Sequence, residues 1–188
     1  MSLFLPNELN IDSKRPNPAL PPQLKKLFPG AVRLNVIGDG NCGYHVMQLI
    51  RYFSCGMIYE TLVLKMMRDE ILKKVSAKLV DVEDHYLEYL EVGLCLRDLA
   101  LNVVMVVQNK KEYDLRVVNY CEKNVEWCFV LMSSQGRHYE LLTKKNDAFF
   151  GIEESKRIFE RCGYEYPVNT TKAENQIRIL DPQDLLYF

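Results

Sequence analysis

Cysteine and histidine are the residues of this sequence that could carry nucleophilic chemistry, one as nucleophile and the other as the base that activates it. Cys42 follows the glycine-rich turn Gly38-Asp39-Gly40-Asn41 and opens a stretch of apolar residues at three-to-four residue spacing, which predicts a helix buried on one face. Cys42 is therefore expected at a helix N-terminus, where free N–H groups and the helix dipole stabilise a thiolate. The glycines would let several backbone amides face one point, as an oxyanion hole requires.

The position of Cys42 alone leaves its role open. The turn could be an ordinary strand-to-helix connection and Cys42 a small buried residue, and composition by itself favours this interpretation. A phosphate-binding loop is disfavoured, because the sequence has neither the Lys-Ser/Thr ending of a P-loop nor the full G-x-G-x-x-G spacing. The other five cysteines include no C-x-x-C pair, so a zinc site is not expected and they are interpreted as ordinary buried thiols.

Three histidines compete for the role of base. His45 lies one turn after Cys42 on the same predicted helix and is expected to point into local packing. His85 lies among acidic residues on a predicted solvated helix face, where a bystander role is expected. His138 follows a short glycine-containing connection and begins a predicted strand, which makes it the best candidate.

Two segments of the chain resemble the ovarian tumour (OTU) family of cysteine proteases. Residues 38–45 (GDGNCGYH) are similar to its nucleophile motif, and residues 135–142 (QGRHYELL) are similar to its second motif. The motifs stand in the family's order, and the intervening helices followed by strands are similar to its layout from about residue 33 to residue 142. The N-terminal arm and the tail after residue 143 lie outside the resemblance.

The resemblance implies a papain-like OTU fold, an α+β domain with a central mixed β-sheet flanked by helices. It implies a deubiquitinase in which Cys42 attacks the isopeptide bond between the ubiquitin C-terminal glycine and a lysine, and His138 transfers the proton. The backbone from Asp39 through Gly40 and Asn41 to Cys42 would hold the oxyanion. Ubiquitin or polyubiquitin chains are the implied partners, and no metal or cofactor is implied.

The residue that orients His138 is open between two positions. The family usually has Asp or Asn two positions after the histidine, where this chain has Glu140, and a strand puts positions 138 and 140 on one face. Asn35, on the strand before Cys42, is the alternative, a placement similar to some divergent viral members, and Glu140 is favoured. The unusual Glu140 leaves a catalytically inactive ubiquitin-binding module as an alternative function. A protease acting on another ubiquitin-like modifier or on a polyprotein is a further alternative.

Residues beside the two motifs bear on the substrate. Tyr139 corresponds to an aromatic residue that, in the family, lines the narrow groove for the paired glycines of ubiquitin, and sheet packing is its alternative role. Arg137 is assigned to the same substrate-binding surface. Many members carry a Trp-Gly pair before the last helix preceding the sheet, and this chain has Glu91-Val92-Gly93 there instead.

Length and composition favour one compact domain in a reducing, cytoplasmic compartment, which would be the host cytosol for a viral or bacterial member. The 188 residues are 48% hydrophobic, enough for a substantial core. Because 24 basic and 25 acidic residues are interspersed, no nucleic-acid partner is expected. No apolar stretch approaches the roughly 20 residues of a membrane-spanning helix, and the first residues lack a basic segment, so neither membrane association nor a secretory signal is expected.

Pattern along the chain predicts the elements that must position these residues. Residues 1–30 are expected to form a proline-rich N-terminal arm with one short helix at about 22–28, and residues 31–188 a single protease domain with a C-terminal helical extension at 151–188. Helices are predicted at about 42–53, 59–79, 82–101 and 152–162. Strands are predicted at about 31–37, 103–107, 115–120, 127–132, 139–142 and 176–180, with the four from 103 to 142 forming a meander in one sheet.

Overall fold

The chain folds as an α+β domain in which helices flank a mixed sheet. The computed structural model describes residues 19–34, 36, 38, 41–58, 63–66, 69, 96, 99–121, 126–132, 138–144 and 147–167. Within them the elements are α1 (Pro22–Leu27), β1 (Val32–Leu34), α2 (Cys42–Cys55), β2 (Asn102–Asn109), β3 (Glu112–Asn119), β4 (Trp127–Met132), β5 (Tyr139–Thr143) and α3 (Ile152–Arg161). The predicted α+β class is confirmed. Most of the predicted helices at 59–79 and 82–101, and the predicted strand at 176–180, lie outside the described residues.

The strands of the described part of the chain form one five-stranded sheet in the order β1-β5-β4-β2-β3. β2 and β4 are parallel, and the other neighbouring pairs are antiparallel. The prediction of one sheet is confirmed, but the predicted meander is wrong because β4 pairs with β2 rather than with β3. β4 is buried almost throughout, as expected of an interior strand. In the first half of β3, buried residues alternate with exposed or half-buried ones, as expected at an edge.

The sheet is covered on both faces, and each face has its own core. The α2-side core packs α2 against one face and includes Val46, Ile50, Val103, Val130 and Leu141. The α3-side core packs α1 and α3 against the opposite face and includes Leu24, Val104, Phe129, Leu142 and Phe159. The domain therefore has three layers, with the strands that carry the second motif in the middle one.

Both ends of the described chain belong to the α3-side core. Leu20, Leu24 and Phe28 are buried, and the Phe28 ring meets Phe129 edge-on at a centroid distance of 5.2 Å. The predicted short helix is confirmed as α1, with Pro22 at the first helical position, where a missing N–H costs no hydrogen bond. The proline-rich segment thus contributes to the core from Leu20 onward, and α3 closes the same face from the other end.

A buried asparagine braces the connection that carries the chain from β3 across to β4. Asn102, at the start of β2, is 1% exposed. Its Oδ1 accepts a hydrogen bond from the Cys121 N–H at 2.7 Å, and its Nδ2 donates to the Glu126 carbonyl at 3.2 Å. Because β2 lies between β3 and β4, one side chain holds both ends of the crossing.

None of the helices in the described part of the chain has the length and apolar character needed to cross a membrane.

Candidate active site

Cys42 is the first residue of α2, as predicted from the sequence. The carbonyl of the preceding Asn41 accepts a hydrogen bond from the His45 N–H at 3.0 Å, which closes the first turn of the helix. No acidic residue lies in that turn, so α2 itself supplies no carboxylate to offset the positive end of its dipole. Cys42 is 3% exposed and His45 is 4% exposed, so the expected packing role of His45 is consistent with its burial.

Cys42 belongs to the same core as residues of β5, the strand that follows His138. Cys42 shares the α2-side core with Leu34 of β1 and with Tyr139 and Leu141 of β5. Leu34 and Leu141 are also direct cross-strand partners. α2 therefore packs against β5, although the two elements are far apart in sequence.

The imidazole of His138 lies against the chain that leads into Cys42. His138 is half-buried and directly precedes β5. A Cβ added at Gly38 would lie 4.0 Å from His138 Cε1, at the distance of ordinary van der Waals contact. Gly38 stands four residues before Cys42. The first residue of the nucleophile-like motif thus lies beside the histidine of the second motif, and the lack of a side chain at Gly38 leaves the space beside the ring open.

Glu140 is buried in β5, and its carboxylate faces an arginine. It is 8% exposed, and its Oε2 lies 3.6 Å from Arg33 Nε in β1. Alternation along β5 places Glu140 on the face of Leu142, opposite to Tyr139, and Arg33 is the cross-strand partner of Leu142. Sequence reasoning missed Arg33, because which residue faces Glu140 depends on the register of β1 against β5.

Several predicted site residues lie outside the described residues. These are the alternative orienter Asn35, the oxyanion-hole residues Asp39 and Gly40, and the substrate-binding residue Arg137. The third oxyanion-hole residue, Asn41, is described and is half-buried at the start of α2. His85 is also outside the described residues.

The other described cysteines lack the position of Cys42. None of the five described cysteines forms a disulfide, and among them only Cys42 lies at a helix N-terminus. Burial raises the pKa of the Cys128 thiol far above its ordinary value, and burial likewise raises the pKa of Cys162 to about 11. Both therefore stay protonated at neutral pH. The expectation that all of these thiols are buried is wrong for Cys55, which is exposed, while Cys121 and Cys162 are half-buried.

The arrangement supplies the parts of a thiol-dependent hydrolase. The positive end of a helix favours the thiolate of a cysteine placed there, and an imidazole beside the segment that leads into that cysteine is the type of group that accepts a thiol proton and returns it to a leaving group. The first N–H groups of any helix have no partner within that helix and can donate to an oxyanion. Comparison with models of protein families and with curated proteins finds no match for this chain, so its function has to be inferred from the arrangement of Gly38, Cys42 and His138.

Proposed function

We propose that this protein is a cysteine protease similar to the OTU family, and that it hydrolyses isopeptide bonds at the C-terminus of ubiquitin. The placement of the His138 ring beside Gly38, four residues before Cys42, carries the proposal, because a nucleophile and its base must belong to one site. The shared core of Cys42 and Tyr139 supports the same arrangement. We include a papain-like OTU fold in the proposal, and the mixed sheet flanked by helices is compatible with that fold.

The proposed reaction passes through a thioester. Cys42 Sγ attacks the carbonyl carbon of the ubiquitin C-terminal glycine, forming the C–S bond, while His138 accepts the thiol proton. Collapse of the tetrahedral intermediate breaks the C–N bond, and His138 gives the proton to the departing lysine amine. Water, deprotonated by His138, then attacks the thioester and releases the ubiquitin carboxylate and the free thiol. Backbone N–H groups from Asp39 to Cys42 stabilise each oxyanion.

The residues around the second motif suggest how the substrate reaches the thiol. Tyr139 is 4% exposed and belongs to the same core as Cys42, and its ring is proposed to line the groove that leads to the sulfur. A bulky wall at that place fits a substrate whose last residues are glycines and excludes larger side chains. Arg137, two residues earlier, is proposed to bind the same substrate. The nucleophile must stay reduced, so the proposal places the protein in a reducing compartment of the cell.

A ubiquitin carrying an electrophile in place of its C-terminal carboxylate tests the proposal. We expect one ubiquitin to attach covalently to the wild-type protein and none to the Cys42→Ala variant, as read by intact-protein mass spectrometry. Cys55→Ala is the matched control, since Cys55 is an exposed thiol at the other end of the same helix, and this variant should label like the wild type.

Other outcomes of the same experiment point elsewhere. An adduct that persists in Cys42→Ala would contradict the assignment of the nucleophile. Folded wild-type protein that binds ubiquitin but forms no adduct and cleaves no diubiquitin would indicate the inactive binding module. Labelling only by a probe built on another ubiquitin-like modifier would replace ubiquitin as the substrate.

The two candidate orienters of His138 can be compared by turnover. We expect Glu140→Gln or Asn35→Ala to lower kcat for diubiquitin cleavage by at least about tenfold, because an imidazole without its partner loses its orientation and tautomer. A larger loss in folded Asn35→Ala identifies Asn35 as the orienter. A larger loss in folded Glu140→Gln shows that the carboxylate is needed, and the Arg33 variants described below then decide whether it acts on His138 or on Arg33. If neither variant loses that much, both assignments are wrong.

A further inference from the structure

A largely buried ion pair joins the two strands that border the proposed site. Arg33 Nε in β1 lies 3.6 Å from Glu140 Oε2 in β5, and the two side chains are 21% and 11% exposed. β1 leads through Gly38 to Cys42, and Glu140 follows His138 by two residues. The pair therefore links the segment that carries the nucleophile to the strand that carries the base.

The strand on the nucleophile side needs such a link because it is short. β1 has three residues, lies at the edge of the described sheet and has β5 as its neighbour there. Few backbone hydrogen bonds hold so short an edge strand, so side-chain contacts decide how firmly it sits. Leu34 packs into the α2-side core and Val32 is 41% exposed. Arg33 is thus the β1 side chain that anchors the strand on the opposite face.

The electrostatics of the pair fit this role. Within the described part of the chain, Glu140 Oε2 is buried and accepts no hydrogen bond, so the charge of Arg33 is what offsets the cost of burying it. The same charge reaches Tyr113 on β3, where it opposes the larger effect of burial, which raises the pKa of that phenol. Arg33 is the cross-strand partner of Leu142, so its side chain lies on the α3-side face of the sheet, where Glu140 also points.

We propose that Arg33 is a positioning residue. Through its ion pair with Glu140 it holds β1 in the place that brings the Gly38 turn and Cys42 to His138. The part of the test that measures kcat rests on the proposed function, because it follows the cleavage of diubiquitin. In this role the Glu140 carboxylate acts on the arginine of β1 and not on the imidazole.

Exchanging the two charges tests the role of the pair. We expect Arg33→Glu and Glu140→Arg each to lower kcat for diubiquitin by at least about tenfold, because each places like charges face to face in a poorly solvated place. KM should change less, since neither residue is assigned to substrate binding. The double exchange Arg33→Glu/Glu140→Arg should recover kcat to within about threefold of the wild type, because an ion pair is restored.

The unfolding temperature of every variant separates positioning from loss of the fold. If a single exchange does not fold, Arg33→Met, Glu140→Gln and their double variant replace it, and a double-mutant cycle then measures the coupling in kcat. Folded single variants with wild-type kcat would overturn the proposal. A double exchange that regains the unfolding temperature but not kcat would also overturn it and would assign Glu140 directly to His138.

A second readout keeps this inference distinct from the proposed function. The rate at which iodoacetamide alkylates Cys42 needs no ubiquitin, and it should fall in the single variants and recover in the double exchange. A wild-type protein that forms no ubiquitin adduct but shows this pattern would refute the substrate and support the positioning role. If the wild type forms the ubiquitin adduct but the alkylation rate and kcat are the same in all the charge variants, the result would support the substrate and refute the positioning role.

Discussion

Replacing His138 by alanine is expected to lower kcat/KM for diubiquitin cleavage by about 10⁴-fold, the scale seen when a catalytic triad loses the function of its base. In the proposed mechanism the imidazole takes the thiol proton and protonates the leaving amine, and the variant lacks this group. His138 is half-buried and precedes β5, and the adjacent Tyr139 makes the core contact. The variant should therefore keep its fold, as circular dichroism and thermal unfolding can verify.

His45→Gln is the matched control for this prediction. His45 lies on the first turn of α2, one turn from the nucleophile, and is buried. Its substitution is expected to lower the unfolding temperature while leaving kcat/KM, measured well below that temperature, within about threefold of the wild type. A folded His45→Gln protein that loses as much activity as His138→Ala would show that the base is assigned to the wrong histidine.

The largest expected effect on stability comes from Trp127→Ala. Trp127, at the start of β4, is fully buried, with its ring edge-on to Phe159 at 5.2 Å and to Tyr166 at 5.5 Å. Its Nε1–H donates a hydrogen bond to the Tyr166 hydroxyl at 2.6 Å. Removing a buried tryptophan leaves a cavity and costs about 3–5 kcal/mol of unfolding free energy. In a chain of this length we expect the melting temperature to fall by about 10 °C.

The measurement must not depend on tryptophan fluorescence, because Trp127 is the single tryptophan of the chain. Far-ultraviolet circular dichroism in urea gives the free energy of unfolding for each variant. Met66→Ala, at a residue 57% exposed, should change it by less than about 0.5 kcal/mol. Tyr166→Phe should cost about 1–3 kcal/mol, since it leaves the indole N–H without its acceptor. A loss below about 1 kcal/mol in Trp127→Ala would contradict a core role for the ring.

Elements with a strong local signal could be predicted well from the sequence. The six consecutive apolar residues of Trp127–Met132 predict β4 with the bounds that the structure shows, since such a run suits a strand covered on both faces. The start of α2 at Cys42 follows from the glycine turn and the helical spacing after it. The order of the strands was not predictable in this way. The parallel pairing of β4 with β2 depends on the crossing that Asn102 braces, and such a contact leaves no periodic trace in the sequence.

The residues of the candidate site likewise differ in how far the sequence could identify them. Cys42 and His138 could be selected because their residue types and neighbours limit the choice, and the structure places Gly38, four residues before Cys42, beside the His138 ring. Arg33 could not be selected, because a charged residue on a short strand looks like an ordinary solvated one until the register is known. Its partner Glu140 was proposed for a different role, and only the pairing of Arg33 with Leu142 shows that the two charges share a face.

The sheet order has a consequence for synthesis of the chain. β1 leaves the ribosome before the other four strands, but its strand partner in the described sheet is β5, which is made last of the five. Pairing across so long a separation is slow and cannot start before β5 has emerged. The Cys42 thiol of a nascent chain therefore meets His138, its proposed base, only after all five strands have been translated. Under the proposed mechanism, an incomplete chain that ends before His138 would carry the nucleophile without the group that activates it.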